Sequence, residues 1–328
     1  MNFSIVIVTY NRRKHLERCL NSIIYNPSLN YNFEVIIIFN GETSYLTQIK
    51  NKFPQFYSFY IPTCSPAQAR NIGIEKAKGD YLFFLDDDCY LPKDYFSKID
   101  FNQDWDVIGG PDKTPVDATP FQRSLGYTLS SPFCMGETYK RHTINVTETL
   151  IKSSESHLIL CNLWFKRSLF SLEKYSFSTD LFRNEENFLL KELKQKSKKI
   201  YYNPSLFVFH SRKDNLKALA GSIFKSGECR VKSFYKLPNK SEFVYFSPLA
   251  FLLCFLFWVF NPYSVFVYPL IGYTIIISIN TFITQRIFDL KIIFLHYFIL
   301  ITYALGLISG VKNTLEQLWV NAIGNQVL

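Results

Sequence analysis

Between Glu242 and Arg286 the chain carries no charged residue, so Phe243 to Gln285 forms a 43-residue uncharged run. A bilayer hydrocarbon core about 30 Å thick takes roughly 20 helical residues. Asn261-Pro262 divides the run into two pieces of about that size, Phe243–Phe260 and Tyr263–Gln285. The pattern predicts a membrane-crossing helical hairpin over about 243–285. Arg286, Asp289 and Lys291 follow, and then Ile292 to Val311 is again free of charge. This predicts a third apolar segment over about 292–311, weakened by His296, Gly306 and Gly310. The expected organisation is a domain over residues 1–240 and a membrane domain over 241–328.

Charge is distributed unevenly around that division. Lys and Arg number 36 against 27 Asp and Glu, a net charge of +9, and only Arg286, Asp289, Lys291, Lys312 and Glu316 lie beyond Glu242. Basic residues gather just before the hairpin: Arg212, Lys213, Lys217, Lys225, Arg230, Lys232, Lys236 and Lys240. Such a segment suits an anionic leaflet and places the first domain on the cytoplasmic side of the cell (inner) membrane, with membrane lipids as partners. The excess charge lies beside the hairpin and no nucleic-acid motif accompanies it, so no nucleic acid is expected as a partner. Met1-Asn2-Phe3-Ser4 has no basic n-region, which argues against a signal peptide. The seven cysteines include no C-x-x-C pair, which speaks against a zinc site or a disulfide framework.

In the first domain, short apolar runs alternate with helical patterns. Phe3–Val8, Glu34–Phe39, Phe56–Ile61 and Tyr81–Leu85 read as buried strands. Between them, Leu16, Cys19, Leu20, Ile23 and Ile24 recur at helical spacing behind Asn11, a candidate cap. Leu46–Phe53 reads as a helix, and Ser65-Pro66 opens another that Gly79 closes. Alternation of this kind predicts an α/β fold, a parallel sheet covered by helices on both faces. Ligands of such sheets bind outside the carboxyl ends of the strands. The residues there are Thr9-Tyr10-Asn11, Asn40-Gly41 and Asp86-Asp87-Asp88. Neither G-x-G-x-x-G nor a P-loop pattern is present.

Three carboxylates ending one buried strand repel each other unless water, a cation or a basic partner screens them. Mg²⁺ or Mn²⁺, hard ions with oxygen ligands, would do so and would bridge to a diphosphate; a solvated acidic turn is the plainer alternative. Arg70, on the helix before the acids, either neutralises the same diphosphate or forms an ion pair. Asn184-Glu185-Glu186 opens a helix carrying Leu189, Leu190 and Leu193, where the acids serve as dipole partners or as a general base. His210 follows the apolar run Leu206–Phe209 and is either a metal ligand or a packed histidine. The stretch Pro111–Glu155 shows little periodicity and carries Phe121, Tyr127, Phe133 and Tyr139. It is expected to be irregular and either to line a ligand pocket or to serve ordinary packing.

Taken together, Phe3–Arg12, Ala69-Arg70-Asn71 with Gly73, Gly79 through Asp88, Cys161-Asn162 with Arg167, and Asn184-Glu185-Glu186 resemble family 2 glycosyltransferases over about the first 235 residues. The tail His296–Gly310, with Tyr303-Ala304-Leu305-Gly306, is similar to that of bacterial exopolysaccharide members. The resemblance implies a GT-A-like nucleotide-binding fold, a nucleotide-sugar donor, a divalent cation (Mn or Mg) and inversion at the anomeric carbon. On the matching positions it implies donor contacts from Thr9, Asn11, Arg70, Asp86 and Asp87, metal ligation by Asp86, Asp88 and His210, and a base at Glu186 beside Glu185. Where the family carries an acid after its second strand this chain has Asn40, the expected substitute as a contact to the nucleotide base. The Q-x-x-R-W string of processive members is missing, and Phe224 to Arg230 occupies that region. The expected activity is transfer of one sugar to a glycan acceptor, lipid-linked or other. A nucleotidyltransferase and a non-catalytic membrane-anchored sugar-binding scaffold are the alternatives.

Overall fold

The computed structural model describes residues 2–41, 43–144, 150–286 and 288–324. Within them the strands are β1 (Asn2–Thr9), β2 (Asn32–Asn40), β3 (Tyr57–Ile61), β4 (Tyr81–Phe84), β5 (Cys89–Tyr90), β6 (Val107–Gly109), β7 (Asp112–Lys113), β8 (Ile151–Lys152), β9 (Leu163–Lys166), β10 (Ile200–Tyr202) and β11 (Val208–His210). The α-helices are α1 (Arg13–Ile24), α2 (Leu46–Lys52), α3 (Pro66–Lys76), α4 (Pro120–Leu129), α5 (Pro132–Met135), α6 (Ser168–Ser171), α7 (Glu185–Gln195), α8 (Leu216–Lys236), α9 (Ser247–Phe260), α10 (Val267–Gln285) and α11 (Leu290–Gly324). The chain divides into two compact units, Met1–Ala118 with Glu137–Ser211, and Thr119–Gly136 with Arg212–Leu328. Helix α8 belongs to the second unit because it packs along α11. The division between the units falls after Ser211, whereas the charge pattern places the expected boundary at 240.

The first unit is built on an eight-stranded sheet of order β3-β2-β1-β4-β9-β6-β10-β8. Strands β1 to β4 run parallel, as their apolar runs predict. The sheet as a whole is mixed, because β9 joins antiparallel to both β4 and β6. Alternation in the strands divides the core in two. Phe3, Ile5 and Ile7 of β1 join Leu16, Cys19, Leu20 and Ile23 of α1 on one face. Val6, with Ile36 and Ile38 of β2, meets Ala67 and Ala69 of α3 and Leu189, Leu190 and Leu193 of α7 on the other. Each large side chain so buried contributes roughly 1.5–3 kcal/mol of transfer free energy.

Aromatic packing secures the junction where strand direction changes. Phe83 of β4 stacks on Trp164 of β9 with ring centroids 4.4 Å apart. Trp164 Nε1 donates to Tyr95 Oη at 2.9 Å, and Tyr95 donates to Asn162 Oδ1 at 2.5 Å. Two local expectations need correction. Asn11 does not cap α1; it takes a left-handed φ of 50°, and the cap position is Arg12, which makes no side-chain cap bond. Gly79 does not close α3, which ends at Lys76. It lies where a Cβ would stand 2.5 Å from the backbone of Phe3, so it permits close approach to β1. A three-stranded sheet, β5-β11-β7, completes this unit.

In the second unit, three helices are long and apolar enough to cross a membrane: Lys240–Phe260, Val267–Gln285 and Leu290–Val320. Helix α11 crosses α8 at glycines. A Cβ on Gly306 would stand 2.1 Å from the Phe224 carbonyl oxygen, and one on Gly227 would stand 2.4 Å from that of Tyr303. Small residues let helix backbones approach this closely. Leu125 of α4, Cys134 of α5 and Leu219 of α8 pack with Leu295 and Ile299 of α11. The region 111–155 is thus partly helical, which the weak periodicity did not reveal. Arg230 of α8 and Glu242 form a buried ion pair at 2.9 Å, and Arg230 lies over the Tyr245 ring at 4.2 Å.

Candidate active site

Strands β1, β2 and β4 end on one rim, so Thr9, Asn40 and the acidic turn after Phe84 come from far apart in sequence to one edge of the first unit. The three acids have different partners. Asp86 is the most open, with a side chain 34% exposed, and Arg70 Nη2 donates to its Oδ1 at 3.1 Å. Asp87 is buried. It accepts from Thr9 Oγ1 at 2.7 Å and from Arg12 Nη1 at 3.0 Å. Asp88 accepts from the same Arg12 Nη1 at 2.7 Å and stands 3.3 Å from His210 Nε2. The acids are therefore screened by basic partners belonging to the chain.

The electrostatics follow from burial and adjacency. Burial, with the charge of Asp88 adding to it, pushes the Asp87 carboxyl up to about 7 against the opposing pull of Arg12. Burial works against the Arg12 charge, but Asp88 and Asp87 outweigh it and hold that guanidinium above its ordinary value. Arg70 is held up in the same way by Glu185 and Asp86 against burial. For His210, burial is likewise outweighed, chiefly by Asp88.

Helix α7 begins at Asn184, whose left-handed φ of 62° turns the chain into the first helical residues. Glu185 and Glu186 are both buried there. Arg70 Nη1 donates to Glu185 Oε1 at 2.5 Å, so one guanidinium joins the start of α7 to the acidic turn. Burial pushes the Glu185 carboxyl up to about 7; Arg70 opposes the shift and the neighbouring Glu186 charge adds to it. The Glu186 carboxylate has no hydrogen-bond or ion-pair partner among the described residues. An acid held this way can accept a proton from a bound hydroxyl.

Most of the expected residues thus converge: Thr9, Asp87, Asp88 and His210 are linked through Arg12, Asp86 and Glu185 are linked through Arg70, and the acidic turn joins the two groups, with the unpartnered Glu186 next to Glu185. Asn40 does not join it. Its amide accepts from Cys64 N at 2.9 Å and donates to Cys64 O at 3.0 Å, tying the end of β2 to the loop after β3. Asn11 is exposed at the turn after β1. Sequence reasoning passed over Arg12, Tyr45, Asp112 and His142. Arg12 was visible as a basic residue directly after a strand end. Tyr45 Oη, 3.0 Å from Thr9 Oγ1, and the two residues that meet beside His210 carry no sequence signal.

Asp88 Oδ1 and His210 Nε2 stand 3.3 Å apart, and a carboxylate with an imidazole is a donor pair that suits a divalent cation; Asp86, the most open acid of the same turn, offers a further carboxylate. Cys89, Cys161 and a His210 ring nitrogen also lie within 4.8 Å of one another. Burial pushes the Cys89 thiol far up, which disfavours the thiolate that a soft metal needs.

A family model described as Glycosyl transferase family 2 matches residues 4–171, just over half of the chain. An uncharacterized glycosyltransferase of Haemophilus influenzae is 39% identical over 100 residues, covering 29% of this chain and 39% of that protein. Glycosyltransferase GlyA of Streptococcus pneumoniae is 25% identical over 231 residues, covering 65% of this chain and 31% of that protein. The chain therefore spans well under half of the length of these relatives. The crystallised mannosyltransferase of Pyrobaculum calidifontis, in complex with GDP-Man and Mn²⁺, superposes with a TM-score of 0.63 at 13% identity, over 93% of this chain and 86% of that one. At that identity the likeness speaks for the fold, which is GT-A-like.

Proposed function

The chain belongs to glycosyl transferase family 2, and from that premise we propose that it moves one sugar from a nucleotide-sugar donor to an acceptor hydroxyl, with inversion. The observation that carries this reading is the shared guanidinium. Arg70 binds Asp86 and Glu185 at once, which leaves the neighbouring Glu186 carboxylate without a partner beside the acidic turn. In this reading Glu186 takes the proton of the attacking hydroxyl. Asp86, Asp88 and His210 would hold a divalent cation, which supplies neutralisation of the departing diphosphate. Arg12 and Arg70 balance the charge of the carboxylates, and Thr9 seats Asp87. Glu185 positions Arg70.

The acceptor we propose is a glycan intermediate carried on a lipid at the cytoplasmic face. Three apolar helices able to cross a bilayer support this, because a chain held in the membrane meets lipid-borne acceptors by diffusion in two dimensions. The basic residues of α8 suit an anionic leaflet. The test is a panel of nucleotide sugars given to the full-length protein in detergent with Mn²⁺, scored by nucleoside diphosphate release. We expect release from one donor, stopped by excess EDTA and by Asp88→Ala. Release that survives both would remove the cation from the reading, and no release from any donor with any lipid-linked glycan acceptor would favour a sugar-binding scaffold.

A further inference from the structure

Asp112 stands at a junction to which the reaction above assigns no role. It is fully buried on β7, and each of its carboxylate oxygens meets a histidine: Oδ2 lies 2.6 Å from His210 Nδ1, and Oδ1 lies 2.6 Å from His142 Nδ1. The small sheet builds the junction. Register sets Val208 of β11 opposite Asp112 and His210 opposite Cys89, the residue that follows Asp88. Ser211 N also donates to Asp88 O at 3.0 Å, so the two chain segments are laced together at this point. At 2.6 Å from the carboxylate oxygens, each histidine Nδ1 is placed to donate an N–H to Asp112. The ring of His210 is thereby turned so that Nε2 faces Asp88 Oδ1 at 3.3 Å. The two atoms would thus be available together to one divalent cation.

We propose that Asp112 and His142 are positioning residues, which hold His210 Nε2 and Asp88 aimed at one divalent cation. The inference rests on the metal part of the reading above. A carboxylate behind a ligating histidine fixes its tautomer and its orientation. Here a second histidine stands behind that carboxylate and keeps it aligned. The segment that supplies His142 is itself anchored. Arg141 donates to Asn187 Oδ1 at 2.6 Å, Asn187 being the neighbour of Glu186, and Tyr202 Oη donates to the Lys140 carbonyl at 2.6 Å. The same short stretch is therefore fastened both to the helix of the base and to the histidine of the metal.

The test is Mn²⁺ binding by the full-length chain in detergent, with UDP or GDP present in parallel runs and free Mn²⁺ counted by electron paramagnetic resonance. Asp112→Asn and His142→Leu should each raise the Mn²⁺ dissociation constant by about 10- to 100-fold. His142→Asn, which keeps a donor near the position of Nδ1, should restore most of the affinity. Metal-free melting reports whether each variant folds, and His142→Leu carries the test should Asp112→Asn fail to fold. If Asp88→Ala loses Mn²⁺ while folded Asp112→Asn and His142→Leu bind it as the wild type does, the positioning role is wrong and the metal reading stands. If the wild type and Asp88→Ala bind Mn²⁺ alike, or neither binds it, both fall together.

Discussion

Arg70 Nη1 stands 2.5 Å from Glu185 Oε1, joining residues 115 positions apart in the chain. The pairing separates the roles of two adjacent acids that sequence alone leaves equivalent. Adjacent residues of a helix diverge by about 100°, and here one of them is committed to an arginine. For Glu186→Gln we expect kcat to fall by about 10²–10⁴-fold with donor binding little changed. In Glu185→Gln the amide oxygen of the glutamine still accepts from Arg70, so a smaller fall is expected. Single-turnover rates and donor titration of both variants decide the matter; a dead Glu185→Gln beside an active Glu186→Gln would move the base by one residue.

The same acid sets a pH dependence. Burial raises the folded-state value of Glu185 from 4.5 to about 7. The folded form thus binds more protons than the unfolded form between those values. The stabilisation is complete below about 4.5 and is lost as pH rises through about 7, by at most about 3 kcal/mol. Melting of the metal-free wild type should fall across this window more steeply than that of Glu185→Gln. Parallel pH profiles for the two proteins would contradict the assignment.

Truncation after Lys240 removes α9, α10 and α11. Helix α8 and the α4–α5 segment then lose the partner against which Leu125, Cys134 and Leu219 are buried. The truncated chain is expected to aggregate or to require detergent, while the full-length chain stays with membranes in high salt. Sedimentation after carbonate and salt washes measures both. A truncated chain that is monomeric in plain buffer would show that α8 has no need of α11.

Close backbone contact at the crossing of α8 and α11 predicts a sharp difference between glycines. A methyl group at Gly306 meets the Phe224 carbonyl at 2.1 Å, whereas one at Gly272 meets nothing within 4 Å. Gly306→Ala should lower stability by about 1–3 kcal/mol through overpacking, and Gly272→Ala should leave it near the wild-type value. Thermal melting in one detergent compares them directly.

The early strands were legible because β1, β2 and β4 are short β-branched or aromatic runs with turn residues at their ends. The acidic turn was legible because its three residues are consecutive. The direction of β9 was not: Leu163–Lys166 reads the same in either orientation, and only pairing to β4 and β6 decides it. Arg12 and Asp88 are 76 positions apart, and His210 and Asp112 are 98 apart, so local pattern cannot join them. Asn40 was expected to contact the nucleotide base because it stands where the resembling family carries an acid; its amide makes two bonds to the backbone of Cys64, a pairing 24 positions away that local pattern does not show. Helix α8 fell inside the expected first domain because the uncharged run begins only after Glu242, and its close crossing with α11 at Gly227 joins residues too far apart in sequence for local pattern to show.

The buried pair of Arg230 and Glu242 has a consequence for assembly. The two residues lie 12 positions apart, one on α8 and one on the turn that leads into α9, so a shift of that turn along α8 would separate them, at about 3–5 kcal/mol for a broken buried pair. The pair acts as a detent. It admits one longitudinal setting of α8 and the turn at 240–246, and it makes that setting a condition for α9 to start where it does.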